Sequence, residues 1–99
     1  MRKVYISGKI TGLTKREYEK LFGEAEKKIR TFGLIPINPV KKNGEVPGWK
    51  WEDYMKRDIQ LLCDCDFIYR LPNWQESKGA KLENDLAKTL GIPVLDIFN

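Results

Sequence analysis

The chain has 99 residues, of which 41% are hydrophobic and 32% charged, and a net charge of +4; this fits one globular domain and excludes a mainly disordered chain. No apolar run approaches the roughly 20 residues of a membrane helix and no signal-peptide pattern opens the chain, so a cytoplasmic location is expected. With no histidine present, the Ser-His-Asp triad, the Cys-His pair, the HExxH zinc site and imidazole acid–base chemistry are all excluded, which leaves carboxylates, Tyr, Lys, Ser or Cys for catalysis.

Val4, Tyr5 and Ile6 form a short β-prone run that ends at Ser7-Gly8, a strand-to-loop signal. After Gly12, the stretch Thr14-Lys15-Arg16-Glu17 reads as a capping box. Tyr18, Leu21, Phe22, Ala25, Ile29 and Phe32 keep helical spacing up to Gly33, a fitting helix terminator. Leu34 to Ile37 reads as a second strand that Asn38-Pro39 ends, and residues 40–50 read as a loop with Gly44, Pro47 and Gly48. Trp51, Tyr54, Met55, Ile59 and Leu62 share one face of a helix over about 50–63. Phe67 to Tyr69 is a third strand, and Leu71-Pro72-Asn73-Trp74 a loop. Ser77 can cap a third helix that ends near Gly91, and Pro93 to Phe98 is a last β-prone run. This β-α-β-α-β-α-β order implies parallel strands with right-handed crossovers. The expected fold is a single three-layer α/β domain over residues 1–99, Rossmann-like or flavodoxin-like, with a parallel sheet of four or five strands. Ligands of such sheets sit beyond the carboxyl ends of the strands. That gathers Ser7 to Gly12, Asn38 to Trp51 and Leu71 to Ser77 around one crevice.

Two carboxylates stand where apolar residues belong. At about 100° per residue, Asp58 falls near the middle of the apolar arc of the second helix. Glu83 lies inside the arc of Leu82, Leu86, Ala87 and Leu90 on the third. Burying a charge without a partner is expensive. A helix-end carboxylate reaching solvent would explain either residue alone. Two on one presumed crevice point to function, because close carboxylates can split their pKa values and divide the roles of acid and nucleophile, as in glycosidic bond cleavage.

The loop residues agree. Ser7 to Gly12 offers small residues and backbone N–H groups, but it lacks the GxGxxG and GK[ST] patterns of dinucleotide and triphosphate sites. Ser77 opens a helix, where donors and the dipole suit an anion, although ordinary capping also explains it. Trp49, Trp51 and Trp74 flank the crevice and could stack on a planar base or simply pack. Cys63 and Cys65 lack the partners of a zinc site, and helix-end packing is the better reading. No metal and no cofactor are expected.

Three stretches together resemble the nucleoside 2-deoxyribosyltransferase superfamily, including the 2′-deoxynucleoside 5′-monophosphate N-hydrolases, and most of all a small phage and bacterial deoxyribosyltransferase-like branch. They are Val4-Tyr5-Ile6-Ser7-Gly8-Lys9-Ile10-Thr11-Gly12, Arg57-Asp58-Ile59 followed by Cys65-Asp66-Phe67-Ile68, and Ser77-Lys78-Gly79-Ala80-Lys81-Leu82-Glu83. The resemblance covers nearly the whole chain. It implies Glu83 as the nucleophile at the anomeric carbon of deoxyribose and Asp58 as the carboxylate assisting at the sugar or leaving base. Tyr5 would orient Glu83 through its hydroxyl. It makes Ser7, Gly8, Lys9, Ile10, Gly12, Ser77, Gly79 and Trp74 the expected substrate-binding set. Transferases on free nucleosides tend to carry an aspartate at the position of Ser77, and the monophosphate hydrolases a serine that binds phosphate. Family enzymes usually continue past the last strand to complete a neighbouring subunit's site. Here the expectation is that another segment closes it, or Asn99 itself does, or the catalytic site is incomplete.

The expected partner is therefore a small deoxynucleotide or deoxynucleoside in a homo-oligomer with no membrane role, and the expected activity is N-glycosidic cleavage by hydrolysis or transfer. The alternative is a non-catalytic nucleotide-binding module using the same crevice. A nucleic-acid-binding protein fits less well, because no clustered Lys/Arg stripe is present.

Overall fold

The computed structural model describes residues 2–96. Strand β1 (Lys3–Ser7) leads into helix α1 (Lys15–Thr31), and strand β2 (Ile35–Ile37) into helices α2 (Pro39–Asn43) and α3 (Trp51–Cys63). Strand β3 (Phe67–Arg70), a 3₁₀ turn (Trp74–Glu76) and helix α4 (Lys78–Thr89) complete the order. The sheet runs β2-β1-β3, all parallel, with Tyr5 opposite Ile37 on one side and Ile68 on the other.

Beyond β3 the sheet gains one isolated parallel bridge, Ile68 to Val94. The described residues thus hold three strands and a bridge, where the sequence pattern leads one to expect four or five strands. The last β-prone run pairs through Val94 alone among the described residues. Ile97 and Phe98, at its end, and Asn99, expected to help close the site, lie outside them.

Alternation along β1 builds the layers. Val4 and Ile6 point to a core formed with Phe22, Ala25 and Ile29 of α1 and with Tyr69 and Leu71. Tyr5 points to the opposite core, with Ile37, Leu62, Cys65, Ile68 and Ala87. As the middle strand, β1 is covered on both faces, and Val4 through Ser7 are all fully buried.

The helix ends follow local chemistry. Thr14 and Glu17 close the expected capping box of α1, and Gly33 follows its end with φ of 73°. The 40–50 stretch, read as a loop, begins instead with a short helix. Asn38 Oδ1 accepts from the N–H groups of Val40 and Lys41, and Pro39 takes the first helical position, a place where its missing N–H costs nothing. The loop after β3 likewise contains a turn of 3₁₀ helix. Cys65 is buried at the end of α3, its thiol donating to Leu61 O at 3.3 Å; burial pushes that thiol up to about 12, which fits the packing reading. Among the described residues no helix is long and apolar enough to cross a membrane.

Candidate active site

A parallel sheet offers its ligand crevice where successive crossovers depart to opposite sides of one strand. Here that strand is β1, with β2 on one side and β3 on the other. A cavity of about 470 Å³ is lined by Tyr5 of β1, the loop residues Gly8 and Ile10, Asn43 of α2, Trp51 and Asp58 of α3, and Ser77, Gly79 and Glu83 around the start of α4. That volume lies within the range of small-molecule sites.

Glu83 is only 4% exposed. Its two oxygens are held separately: Tyr5 Oη donates to Oε2 at 2.6 Å, and Ser7 Oγ to Oε1 at 2.8 Å. Alternation makes this possible, since Tyr5 and Ser7 leave β1 on the same face. Burial pushes the Glu83 carboxyl up to about 8, against the two hydroxyl donors and with help from the charge of Asp58. The Tyr5 phenol is raised well above its ordinary range, first by burial and then by the charge of Glu83.

Asp58 lines the same cavity and is 7% exposed. Asn43 Nδ2 donates to its Oδ1 at 2.6 Å. Burial raises Asp58 to about 6, opposed by the Asn43 amide and the charge of Arg57. Both inward carboxylates read from the helical arcs are therefore buried and share one cavity.

The substrate-binding set divides. Gly8, Ile10, Ser77 and Gly79 line the cavity, whereas Ser7, Lys9, Gly12 and Trp74 do not. Ser7 lies fully buried beneath Glu83. Lys9 ties two loops together, its N–H donating to Asn73 Oδ1 at 3.0 Å and its ammonium meeting Glu76 at 3.4 Å. Gly12 turns the chain at φ of 91°. Trp74 packs under the Arg70 guanidinium, 4.7 Å from the ring centre. Two glycines on the wall are set by close packing. A Cβ on Gly8 would stand 2.4 Å from Leu71 Cδ1, and one on Gly79 2.9 Å from Met55 Sδ. Ser77 accepts from Ala80 N as the N-cap of α4. Of the other tryptophans, Trp51 is on the cavity wall, while Trp49 meets the Tyr54 ring edge-on at 5.0 Å.

Sequence reasoning gathered Asn38 to Trp51 at the crevice without singling out Asn43, and read Tyr54 and Met55 only as part of the apolar face of α3, whereas all three line the cavity. The apolar arc of α3 faces the cavity as well as the core, and periodicity registers both as inward. The signal for Asn43 was Asn38-Pro39, which has the pattern of a helix start as well as a strand end.

Comparison with known proteins gives these residues a family context. No curated protein matches the chain. In fold it is similar to the 2-deoxyribosyltransferase of the psychrotolerant bacterium Bacillus psychrosaccharolyticus, with a TM-score of 0.70, 19% identity, and 98% of this chain aligned to 77% of that one. It is also similar to a conserved protein from Enterococcus faecalis, with a TM-score of 0.69, 18% identity, and 95% of this chain aligned to 61% of that one. The model of a domain of unknown function, DUF4406, matches residues 2–96. The chain belongs to the DUF4406 family, whose model spans residues 2–96, and its fold is similar to that of a 2-deoxyribosyltransferase.

Proposed function

We propose that this protein cleaves the N-glycosidic bond of a 2′-deoxynucleoside 5′-monophosphate or deoxynucleoside, with Glu83 as the nucleophile. The observation that carries this reading is the buried Glu83 carboxyl, gripped by Tyr5 and Ser7 on the wall of a cavity it shares with Asp58. The fold of a 2-deoxyribosyltransferase supports it. A Glu83 oxygen attacks the anomeric carbon and forms an ester to deoxyribose as the bond to the base nitrogen breaks. The bonding pair leaves with the base, which takes up a proton with assistance from Asp58 or water. Water, or the nitrogen of a second base, then attacks the same carbon, gives up its proton to Asp58 or to solvent, and frees the Glu83 carboxylate. Tyr5 holds the nucleophile in one orientation, so less ordering remains for the reaction itself.

Ser77 gives the 5′ preference. A neutral side chain at the start of α4 leaves the helix N-terminal donors and dipole to favour a phosphate, so monophosphates should bind more tightly than the matching nucleosides in calorimetry. Equal affinities would remove Ser77 from that role. A small core at this length favours assembly, and the protein, read as cytoplasmic, is expected to scatter light as a homo-oligomer.

The deciding experiment incubates the protein with each deoxynucleoside and its monophosphate and follows free base by chromatography. Base release that Glu83→Gln abolishes is the expected result. Tight binding of a monophosphate with no release from any substrate would overturn it in favour of a non-catalytic nucleotide-binding module.

A further inference from the structure

Asn84 has no part in the reaction just described, yet with Ser7 it belongs to the hydrogen-bond network around Glu83. Asn84 Nδ2 lies 2.8 Å from Ala80 O. A backbone carbonyl only accepts, so this contact fixes which way round the Asn84 amide sits. The same nitrogen carries a second hydrogen, and Ser7 Oγ is 3.2 Å away to receive it. Ser7 is thereby an acceptor toward Asn84, and its single hydrogen goes to Glu83 Oε1 at 2.8 Å. Tyr5 Oη donates to the other oxygen, Oε2, at 2.6 Å. Both carboxyl oxygens thus face hydroxyl hydrogens already aimed at them. A proton on Glu83 would have to point at Tyr5 Oη or Ser7 Oγ and turn one of those hydrogens away. Both residues are fully buried, so the displaced hydrogen would be left as an unsatisfied donor.

We propose that Asn84 is a positioning residue that acts through Ser7, fixing the direction of the serine hydroxyl so that it favours the ionised, accepting form of Glu83 that attacks. The proposal rests on the reading of Glu83 as the nucleophile. The titratable groups acting on Glu83 are Tyr5 from β1, which donates to it, and Asp58 from α3, whose negative charge favours the protonated form. Ser7 adds a neutral donor from β1, and with Tyr5 opposes the burial of the carboxyl and the charge of Asp58.

The test follows the Glu83 carboxyl directly, by carbon-13 NMR titration of the substrate-free protein labelled at glutamate. Ser7→Ala should raise its midpoint by about one pH unit, the size expected for losing a hydrogen bond to the charged form, and Asn84→Leu should raise it by less, because it frees the serine hydroxyl to turn without removing it. In the Ser7→Ala background, Asn84→Leu should add nothing, because its route to Glu83 is gone. Asn84→Ala serves in place of the leucine variant if that one fails to fold. At neutral pH kcat of Ser7→Ala should fall about tenfold with KM unchanged, matching the loss of ionised Glu83, and that of Asn84→Leu by less. An unmoved midpoint in Ser7→Ala, or the same added shift from the Asn84 change with and without Ser7, overturns the proposal. Absence of base release by the wild-type protein overturns the nucleophile reading instead, and the titration still decides the network.

Discussion

Glu83 is the residue on which stability and activity pull in opposite directions. Its carboxyl titrates near 4.5 in an unfolded chain and is raised to about 8 in the fold. Between those values the folded state holds a proton that the unfolded state has lost. Stability must therefore fall as pH rises through this window, by about 1.4 kcal/mol per pH unit at its steepest. Asp58, raised from 3.8 to about 6, adds a second decline in a lower window. Urea unfolding across pH should show Glu83→Gln losing the upper slope and Asp58→Asn the lower. Activity should run the other way. The nucleophile must be ionised, so base release should climb toward a plateau above about pH 8; a profile with no rise between pH 6 and 8 would argue against Glu83 as the attacking group. Both carboxylates were legible in the sequence because charge on an apolar helical arc stands out. Ser7 was misplaced because a small hydroxyl after a strand looks the same whether it faces a ligand or a neighbouring side chain.

The elements depend on two short devices. The loop after β1 passes so close to Leu71 that a Cβ on Gly8 would stand 2.4 Å from Leu71 Cδ1 and 2.8 Å from Leu71 Cβ. Gly8→Ala should cost roughly 1–3 kcal/mol in denaturant unfolding, the range for overpacking. Leu71→Ala added to it should recover only part, because the crowding Cβ remains. At α2, Asn38→Ala removes the acceptor for two backbone donors and should cost about 1 kcal/mol. Because α2 ends at Asn43, the same change should loosen the amide on Asp58 and raise the Asp58 titration midpoint, which carboxyl NMR can follow. The long helices and the strands could be read because their periods repeat over several residues and their caps are distinctive. A five-residue helix is too short to establish a period, and only its Asn-Pro start gives it away.

At the scale of the whole molecule, the β-α alternation was enough to give the parallel order and the end of the sheet at which the cavity forms, since right-handed crossovers leave few arrangements. Strand count was less legible. A β-prone run states only that a segment can pair, and Val94 contributes a single bridge among the described residues. The cavity's polar details were least legible of all, because they arise between residues far apart in the chain. Tyr5 and Glu83 are separated by 78 positions, and no local pattern reports such a meeting.

Helix α4 buries only Gly79, Ala80, Glu83 and Ala87 fully. Small side chains, a carboxyl and the half-buried Leu86 give it a modest apolar grip, so α4 is expected to detach as a local unit at lower cost than global unfolding. Glu83 ionises freely once that unit opens, which makes its opening easier in alkali. A ligand filling the cavity would touch Ser77, Gly79 and Glu83 together and close the unit again. Amide hydrogen exchange should therefore show α4 less protected than β1, less protected still as pH rises beyond the intrinsic increase in exchange rate, and slowed when a monophosphate binds.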